Sequence, residues 1–233
     1  QAMVNPGDEI LVPAPDYPTW TGAVNLTGGV PVHYLADEAN GWNPSLDDIE
    51  SKVTPRTTAL VMINPNNPTG AVYSAETVRG MADIARRHGL VLLSDEIYED
   101  LVFGDARHHH AALAAGDDVL CLTFGGLSKS FRVCGYRAGW VVATGPVQNA
   151  RDLLEGITLL SNMRVCPNVV GQHAIPMALN AGAPDSPMPA DIVDPGGRLE
   201  KQLALAADAL NAIPGVSCLP PRGALYCFPR VDR

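Results

Sequence analysis

Residues 92–104 read LLSDEIYEDLVFG, and residues 118–137 read DVLCLTFGGLSKSFRVCGYR. Each stretch contains an apolar run that predicts a buried strand and then changes to polar residues or glycine. Both runs therefore deliver polar side chains to the place where a strand ends. The chemically active side chains in these two stretches are Asp95, Tyr98, Lys129 and Arg137.

These side chains match the needs of a pyridoxal phosphate (PLP) site. The pyridinium ring of PLP withdraws electrons from the substrate, so a carboxylate such as Asp95 is needed to keep the ring nitrogen protonated. A lysine such as Lys129 bonds to the cofactor's aldehyde and later serves as the amine that moves a proton. An arginine such as Arg137 binds a phosphate through two parallel hydrogen bonds.

The rest of the chain alternates predicted strands with predicted helices. Apolar and β-branched runs predict strands at 9–13, 30–35, 58–63, 90–94 and 119–124. Helices are expected at 17–26, 74–89, 146–163, 168–178 and 199–212, and further strands at 216–219 and 224–228. This alternation predicts an α/β fold with three α/β/α layers and a mostly parallel sheet. Ligands bind such sheets beyond the carboxyl ends of the strands.

Two helix boundaries carry recognisable end signals. Ser74 is predicted to be the N-cap of a helix that ends at Gly89. The pair Asn43-Pro44 predicts the start of another helix, with Asn43 as its cap and Pro44 in its first turn.

Two upstream segments add to the pattern. Residues 62–74 read MINPNNPTGAVYS, and residues 13–18 read PAPDYP. Together with SDEIY at 94–98, the GLSK turn at 126–129 and the Lys-x7-Arg spacing, they resemble the class I/II aminotransferases of PLP fold type I. Within that family, segments such as CPNVVGQHAI at 166–175 are most similar to bacterial alanine aminotransferases. These enzymes exchange an amino group between alanine/pyruvate and glutamate/2-oxoglutarate.

The resemblance implies roles for particular residues. Tyr17 would stack on the cofactor ring, and Asn67 and Tyr98 would donate hydrogen bonds to its phenolic oxygen. Asn67 would also contact the substrate. The implied cofactor-binding set is Tyr17, Asn67, Asp95, Tyr98, Ser128, Lys129 and Arg137, of which Asp95, Tyr98 and Lys129 would be catalytic.

The resemblance also predicts a domain division. Residues 1–190 would form the PLP-binding large domain, and residues 191–233 the linking helix and the beginning of a small domain. Two family features are expected outside this sequence: the phosphate-binding loop upstream, and the arginine that binds the substrate's α-carboxylate downstream. Gly126 stands where many relatives have a phosphate-binding serine, which leaves Ser128 as the nearer hydroxyl. We therefore interpret the chain as part of a longer aminotransferase and expect this part alone to be inactive.

Two other functions share these residues and stay open from the sequence. One is a fold-type-I β-lyase or related PLP enzyme, and the other is the effector domain of an aminotransferase-like transcription regulator. A phosphate-binding P-loop in GGLSKS is excluded, because that motif requires glycine immediately before the lysine and Ser128 stands there.

The amino-acid composition limits the partners and the cellular location that we expect for this protein. The 233 residues carry a formal net charge of −9, which favours neither nucleic acid nor an anionic membrane as a partner. No apolar stretch reaches the roughly 18 residues of a membrane span. Five cysteines without a C-x-x-C pair indicate neither a disulfide framework nor a zinc site, so a cytoplasmic location is expected. By resemblance, the intact protein is expected to be a homodimer.

The run His108-His109-His110 is the one other candidate for a metal site. Adjacent residues cannot all face one ion, and no fourth ligand is spaced nearby in the sequence. We therefore expect a solvated loop there and no metal site.

Overall fold

The computed structural model describes residues 1–165, 167–180 and 196–232. Seven of its strands form one sheet and two short C-terminal strands form another. The strands are β1 (Glu9–Ala14), β2 (Val30–Asp37), β3 (Asn43–Pro44), β4 (Thr57–Ile63), β5 (Val91–Asp95), β6 (Cys121–Gly126), β7 (Gly139–Thr144), β8 (Val216–Ser217) and β9 (Arg230–Val231).

The large sheet has the strand order β3-β2-β1-β4-β5-β6-β7. Its five central strands, from β2 to β6 in that order, are parallel to one another. The edge strands β3 and β7 each pair antiparallel with their neighbours. The prediction of an α/β fold with a mostly parallel sheet is therefore confirmed.

Helices cover both faces of the sheet. They are α1 (Pro18–Leu26), α2 (Leu46–Ser51), α3 (Ala75–His88), α4 (Ala111–Ala115), α5 (Arg151–Met163), α6 (Val169–Leu179) and α7 (Arg198–Asn211). Helices α2, α3 and α4 contribute to the hydrophobic core on one face, and α1 and α5 contribute to the core on the other. The sheet and the helices on its two faces form three layers, with one hydrophobic core on each side of the sheet.

Strand β4 shows why the sequences of the central strands are continuous apolar runs. Its Leu60 and Met62 pack into the core beneath α3, whereas Val61 and Ile63 pack into the opposite core. All four side chains are almost completely buried. Burying one such side chain contributes about 1.5–3 kcal/mol, so a central strand gains from apolar residues at every position.

The predicted ends of α3 are confirmed. The Ser74 side chain accepts a hydrogen bond from the Thr77 amide at 3.0 Å, and Gly89 has φ +64°. The helix predicted to start at Asn43-Pro44 is wrong at that end. These two residues form β3, which pairs with β2, and Ser45 caps α2 by accepting from the Asp48 amide at 3.2 Å.

The C-terminal segment packs against the loop that follows β5. Leu203 and Ala224 join Tyr98, Leu101 and Phe103 in a third hydrophobic cluster. The strand predicted at 224–228 is wrong. Ala224 has φ +56°, and its amide donates to the Leu101 carbonyl, because this stretch docks on the large sheet's loop instead of pairing with β8.

Some sequence predictions fall on undescribed residues. The predicted domain boundary at 190/191 and Cys166 lie outside the described ranges. Among the residues that are described, the cysteines at 121, 134, 218 and 227 are free thiols. No helix within the described ranges has the length and apolar character needed to cross a bilayer.

Candidate active site

A cavity of about 320 Å³ lies at the carboxyl ends of β4, β5 and β6. Parallel strands bring their carboxyl ends to one edge of a sheet, and the loops that follow them supply most of the lining. The structure brings together every site residue that was predicted from the sequence. The lining includes Tyr17, Asn67, Asp95, Tyr98, Ser128, Lys129 and Arg137.

Asp95 is the last residue of β5, and its carboxylate faces the cavity. Its Oδ2 accepts a hydrogen bond from Trp20 Nε1 at 3.1 Å, and its Oδ1 accepts from the Ile97 amide at 3.3 Å. Burial raises the pKa of Asp95, and these two hydrogen bonds offset only part of that effect. A positively charged partner in the cavity would therefore stabilise the ionised carboxylate.

The loop after β4 holds Asn67 through a network of buried side chains. Asn66 Oδ1 accepts from the Thr69 amide and hydroxyl, and Asn66 Nδ2 donates to the Tyr73 hydroxyl at 3.1 Å. Asn64 Oδ1 accepts from the Tyr73 amide at 2.9 Å. These hydrogen bonds fix the loop on both sides of Asn67, and Asn67 lines the cavity.

Tyr98 lines the cavity and is 2% exposed. Burial, followed by the neighbouring Tyr226, raises the pKa of Tyr98, so the phenol stays a hydrogen-bond donor. Its hydroxyl lies 2.6 Å from the Tyr226 hydroxyl, which also accepts from Asn67 Nδ2 at 3.3 Å. The Lys129 ammonium lies 5.5 Å from the centre of the Tyr98 ring. The Asn67 amide, the two phenols and the Lys129 amine thus lie close together in the cavity.

Two of the residues that line the cavity are exposed to solvent. Tyr17 is 42% exposed, and Arg137 lies on the surface with φ +49°. Arg137 Nη1 donates to the Cys134 carbonyl at 2.9 Å, which orients the guanidinium. Ser128 precedes Lys129 in the turn after β6. A Cβ on Gly126 would lie 3.0 Å from the Ile97 side chain, so this position has little room for a serine.

Sequence reasoning missed two residues of this site, Trp20 and Tyr226. Trp20 lies three residues after Tyr17 in the same helical stretch, so helical spacing could have placed both beside the cavity. Trp20 packs edge-on against Phe124, with ring centroids 5.4 Å apart. Tyr226 is 128 residues from Tyr98 in the chain, and no local pattern indicates their contact.

A second polar cluster lies next to the cavity, and it corrects the prediction of a solvated histidine loop. The His108 side chain is only 7% exposed, and its Nε2 lies 2.8 Å from Glu96 Oε2. His110 Nδ1 lies 2.7 Å from the same oxygen. Glu96 is 1% exposed and binds both imidazoles because β5 ends beside the loop that carries them.

The whole chain, residues 1–233, matches the family model described as aminotransferase class I and II. The chain belongs to the class I and II aminotransferase family. It is 56% identical over 232 residues to a protein of Mycobacterium tuberculosis named alanine aminotransferase. It is 53% identical over 232 residues to a protein of Escherichia coli named glutamate-pyruvate aminotransferase AlaA. Both alignments cover 100% of this chain.

A solved aminotransferase structure from Escherichia coli superposes with a TM-score of 0.93 and 52% sequence identity, and it covers 99% of this chain. The family resemblance and the PLP fold type I architecture are thereby confirmed. The chain spans about half the length of these relatives: 53% of the Mycobacterium tuberculosis protein and 56% of both Escherichia coli chains.

Proposed function

We propose that the full-length protein is a PLP-dependent aminotransferase. Its substrates would be a small amino acid and a 2-oxo acid, with alanine/pyruvate and glutamate/2-oxoglutarate as the pair. The observation that carries this proposal is the convergence of Lys129, Asp95, Tyr98 and Asn67 on one cavity at the carboxyl edge of the sheet. The names of the relatives at 53–56% identity support the alanine/glutamate pair.

The chemistry of the lining residues fits PLP. The cofactor presents an aldehyde, a phenolic oxygen, a ring nitrogen and a phosphate, and the cavity offers a partner for each. Lys129 supplies the amine, Asp95 a carboxylate, and Tyr98 and Asn67 two hydrogen-bond donors. Arg137 and Ser128, which both line the cavity, would bind the phosphate. Tyr17 would cover one face of the ring.

When bound, PLP supplies the electron sink for loss of the substrate's Cα proton. The protein's part is to bind, orient and move protons. Asp95 would hold a proton on the ring nitrogen. Burial disfavours the ionised carboxylate, and a protonated ring nitrogen would supply a positive charge that stabilises it. Lys129 would carry the proton away from Cα, and Asn67 would orient the substrate beside it.

The β-lyase and the regulator readings would use the same side chains. No contact in the described part of the chain favours either, and the named relatives are aminotransferases. Products of the reaction with alanine distinguish them. An aminotransferase converts alanine to pyruvate and transfers the amino group to the cofactor. A β-lyase releases ammonia only from a substrate with a leaving group on Cβ, which alanine lacks, and a regulator effector domain does not turn over alanine, so neither alternative forms pyruvate from it.

We further propose that residues 1–190 form the large domain and 191–233 the start of the small domain, in a cytoplasmic homodimer. Free thiols in the described ranges support a reducing compartment. A stretch of exposed apolar side chains on α5 and α6 supports association with further protein, since monomers rarely leave such surface uncovered. Its members include Leu159, Met163, Val169, Val170, Met177 and Leu179. Light scattering of the full-length protein tests the dimer.

Reductive trapping tests the proposed function. Borohydride reduction of the full-length protein with its cofactor, followed by peptide mapping, should place the pyridoxyl label on Lys129. The other lysines of this sequence, Lys52 and Lys201, serve as internal controls. A label on either of them, or no label in this sequence, would contradict the assignment of Lys129. Pyruvate formation from alanine in a single turnover then tests the substrate.

A further inference from the structure

Four potential metal ligands converge beside the end of β5, outside the cavity described above. Glu96 and Glu99 follow β5, and His108 and His110 come from the loop that leads into α4. One ligand atom from each side chain lies within 4.8 Å of all the others. The sequence offered no fourth ligand close to the histidine run, but the fold brings two carboxylates to it.

We propose that these four side chains bind a divalent cation of the zinc type. Two imidazole nitrogens and two carboxylate oxygens are a ligand set that zinc accepts. A tetrahedral ion with bonds of about 2.0–2.1 Å separates its ligand atoms by roughly 3.3 Å. Glu96 Oε2 lies 2.8 Å from His108 Nε2 and 2.7 Å from His110 Nδ1, and Glu99 Oε2 lies 3.6 Å from His110 Nδ1. Shifts of less than about 1 Å would bring these three spacings to the tetrahedral value, since the first two would widen and the third would narrow.

The surroundings of Glu96 hold it in an orientation suited to an ion. Its Oε1 accepts from the Ser94 hydroxyl at 2.9 Å and from the Ala111 amide at 3.0 Å, which leaves Oε2 directed at the two imidazoles. Outer partners that orient a ligand in this way are a regular part of metal sites. The exposed fractions of the Glu96 and His108 side chains are 1% and 7%, whereas that of His110 is 49%. The cluster therefore has a buried floor and an open mouth through which an ion can enter.

The local charge also favours a cation. Residues 95–100 read DEIYED and carry four carboxylates. In the described part of the chain, the ion-pair partners of Glu96 and Glu99 are histidines and include no lysine or arginine. With neutral imidazoles, Glu96 and Glu99 leave two negative charges that a divalent ion would balance.

A hydrogen-bonded arrangement competes with the ion. Asn64 Nδ2 lies 3.5 Å from His108 Nδ1, and Asn64 Oδ1 accepts from the Tyr73 amide, so the amide's donor side faces the imidazole. This favours a proton on His108 Nε2, which then donates to Glu96. The ion has to displace this proton and the one on His110 Nδ1. We therefore expect an exchangeable site that binds more weakly than a closed structural zinc site.

Calorimetry on the metal-free protein tests the proposal. Untagged full-length protein with its cofactor bound is treated with EDTA, dialysed and titrated with Zn²⁺. The ligand variants are His110→Ser and Glu99→Gln, and His109→Asn is the matched control, because His109 is the adjacent histidine outside the cluster. Serine is a good N-cap for α4, so His110→Ser removes a ligand without removing a helix cap.

We expect one ion per chain, an affinity at least tenfold weaker in each ligand variant, and an unchanged affinity in His109→Asn. Absence of saturable binding, or equal affinity in all four proteins, would overturn the site and leave a hydrogen-bonded network. Cobalt(II) adds a second readout, because thiolate ligation gives a sulfur-to-metal charge-transfer band that histidine and glutamate ligation lacks. Such a band would place the ion on a cysteine such as the exposed Cys134 and would also overturn the proposal.

Discussion

Asp95 and Glu96 are neighbours in the sequence but lie in opposite surroundings. Burial raises the pKa of Asp95, and its hydrogen bonds from Trp20 and Ile97 do not cancel that effect. Burial would raise the pKa of Glu96 as well, but hydrogen bonds from His108 and the Ala111 amide outweigh it and lower the pKa to about 2. The Glu96 carboxylate has its hydrogen-bond partners within the fold, whereas the ionised Asp95 carboxylate is held in the cavity at a cost in free energy. Such a cost is typical of a functional site.

The two shifts have opposite consequences for stability. An acid whose pKa is raised on folding destabilises the protein as pH rises above the pKa of the unfolded state. Ionised Asp95 therefore lowers the stability of the fold at neutral pH unless a cation binds beside it. An acid whose pKa is lowered stabilises the protein above its unfolded value. The contribution of Glu96 is therefore fully present above about pH 4.5 and is lost as pH falls toward 2. The following predictions test this difference.

The largest effect is expected from Lys129→Ala in the full-length protein. In the proposed mechanism, this change would remove both the covalent attachment of the cofactor and the group that moves the proton. Turnover of alanine with 2-oxoglutarate should fall by about 10⁴-fold or more, the upper range for loss of acid–base catalysis. Lys52→Ala is the control, since Lys52 pairs with Asp48 near the surface and should keep its activity. Equal activity in the two variants would exclude Lys129 as the catalytic lysine.

A smaller loss is expected from Asp95→Glu. The added methylene keeps the charge but displaces it by about 1 Å, and a misplacement of that size can cost roughly 10²-fold in rate. The measurement is kcat/KM for alanine at saturating cofactor. If the rate stayed within twofold of the parent, the position of this charge in the cavity would not matter, and Asp95 would resemble Glu96 in being structural.

Glu96→Gln should change stability more than activity. The amide cannot accept from both imidazoles as the carboxylate does, and loss of a charge-assisted network at this buried position should cost about 3 kcal/mol at pH 7. Urea unfolding in EDTA measures this, with Asp95→Asn as the matched variant, which we expect to be at least as stable as the parent, because asparagine avoids burying a charge. The difference between parent and Glu96→Gln should shrink as pH falls from 4.5 toward 2. A constant difference over that range would contradict the lowered pKa of Glu96.

The smallest effect is expected from the two phenols. Tyr98→Phe should raise the pH at which the bound cofactor's absorbance changes, because a donor to its phenolic oxygen is lost. Tyr226→Phe should shift it in the same direction by less, since the Tyr226 hydroxyl acts through Tyr98 at 2.6 Å. An unchanged titration in Tyr98→Phe would remove that residue from the proposed site.

Much of the cavity could be predicted from the sequence because its residues lie in short motifs. Asp95, Tyr98, Ser128 and Lys129 each follow an apolar run, and parallel strands bring such ends to one edge. The caps of α3 were equally local. A side chain that is positioned by its own loop can be located without knowing the rest of the fold.

The wrong or missing predictions concern residues whose positions depend on contacts with other segments of the chain. Tyr226 reaches Tyr98 only because the C-terminal segment docks on the loop after β5, a contact between distant parts of the chain. That docking also prevents a strand at 224–228. The histidine run was misjudged for the same reason, since Glu96 is 12 and 14 residues away from His108 and His110. The sequence predicts Pro44 in the first turn of a helix, but pairing with β2 decides its conformation.

Asp95→Asn gives the most direct test of a catalytic role at the end of β5. The measurement is single-turnover conversion of alanine to pyruvate by the full-length protein, with cofactor occupancy and unfolding free energy determined first. We expect occupancy and stability to be retained, since Lys129, Arg137 and Tyr17 remain and asparagine avoids burying a charge. The rate should fall by orders of magnitude, because a ring nitrogen without its carboxylate is a poor electron sink. A near-normal rate at full occupancy would show that Asp95 is structural and would contradict the assignment of this site.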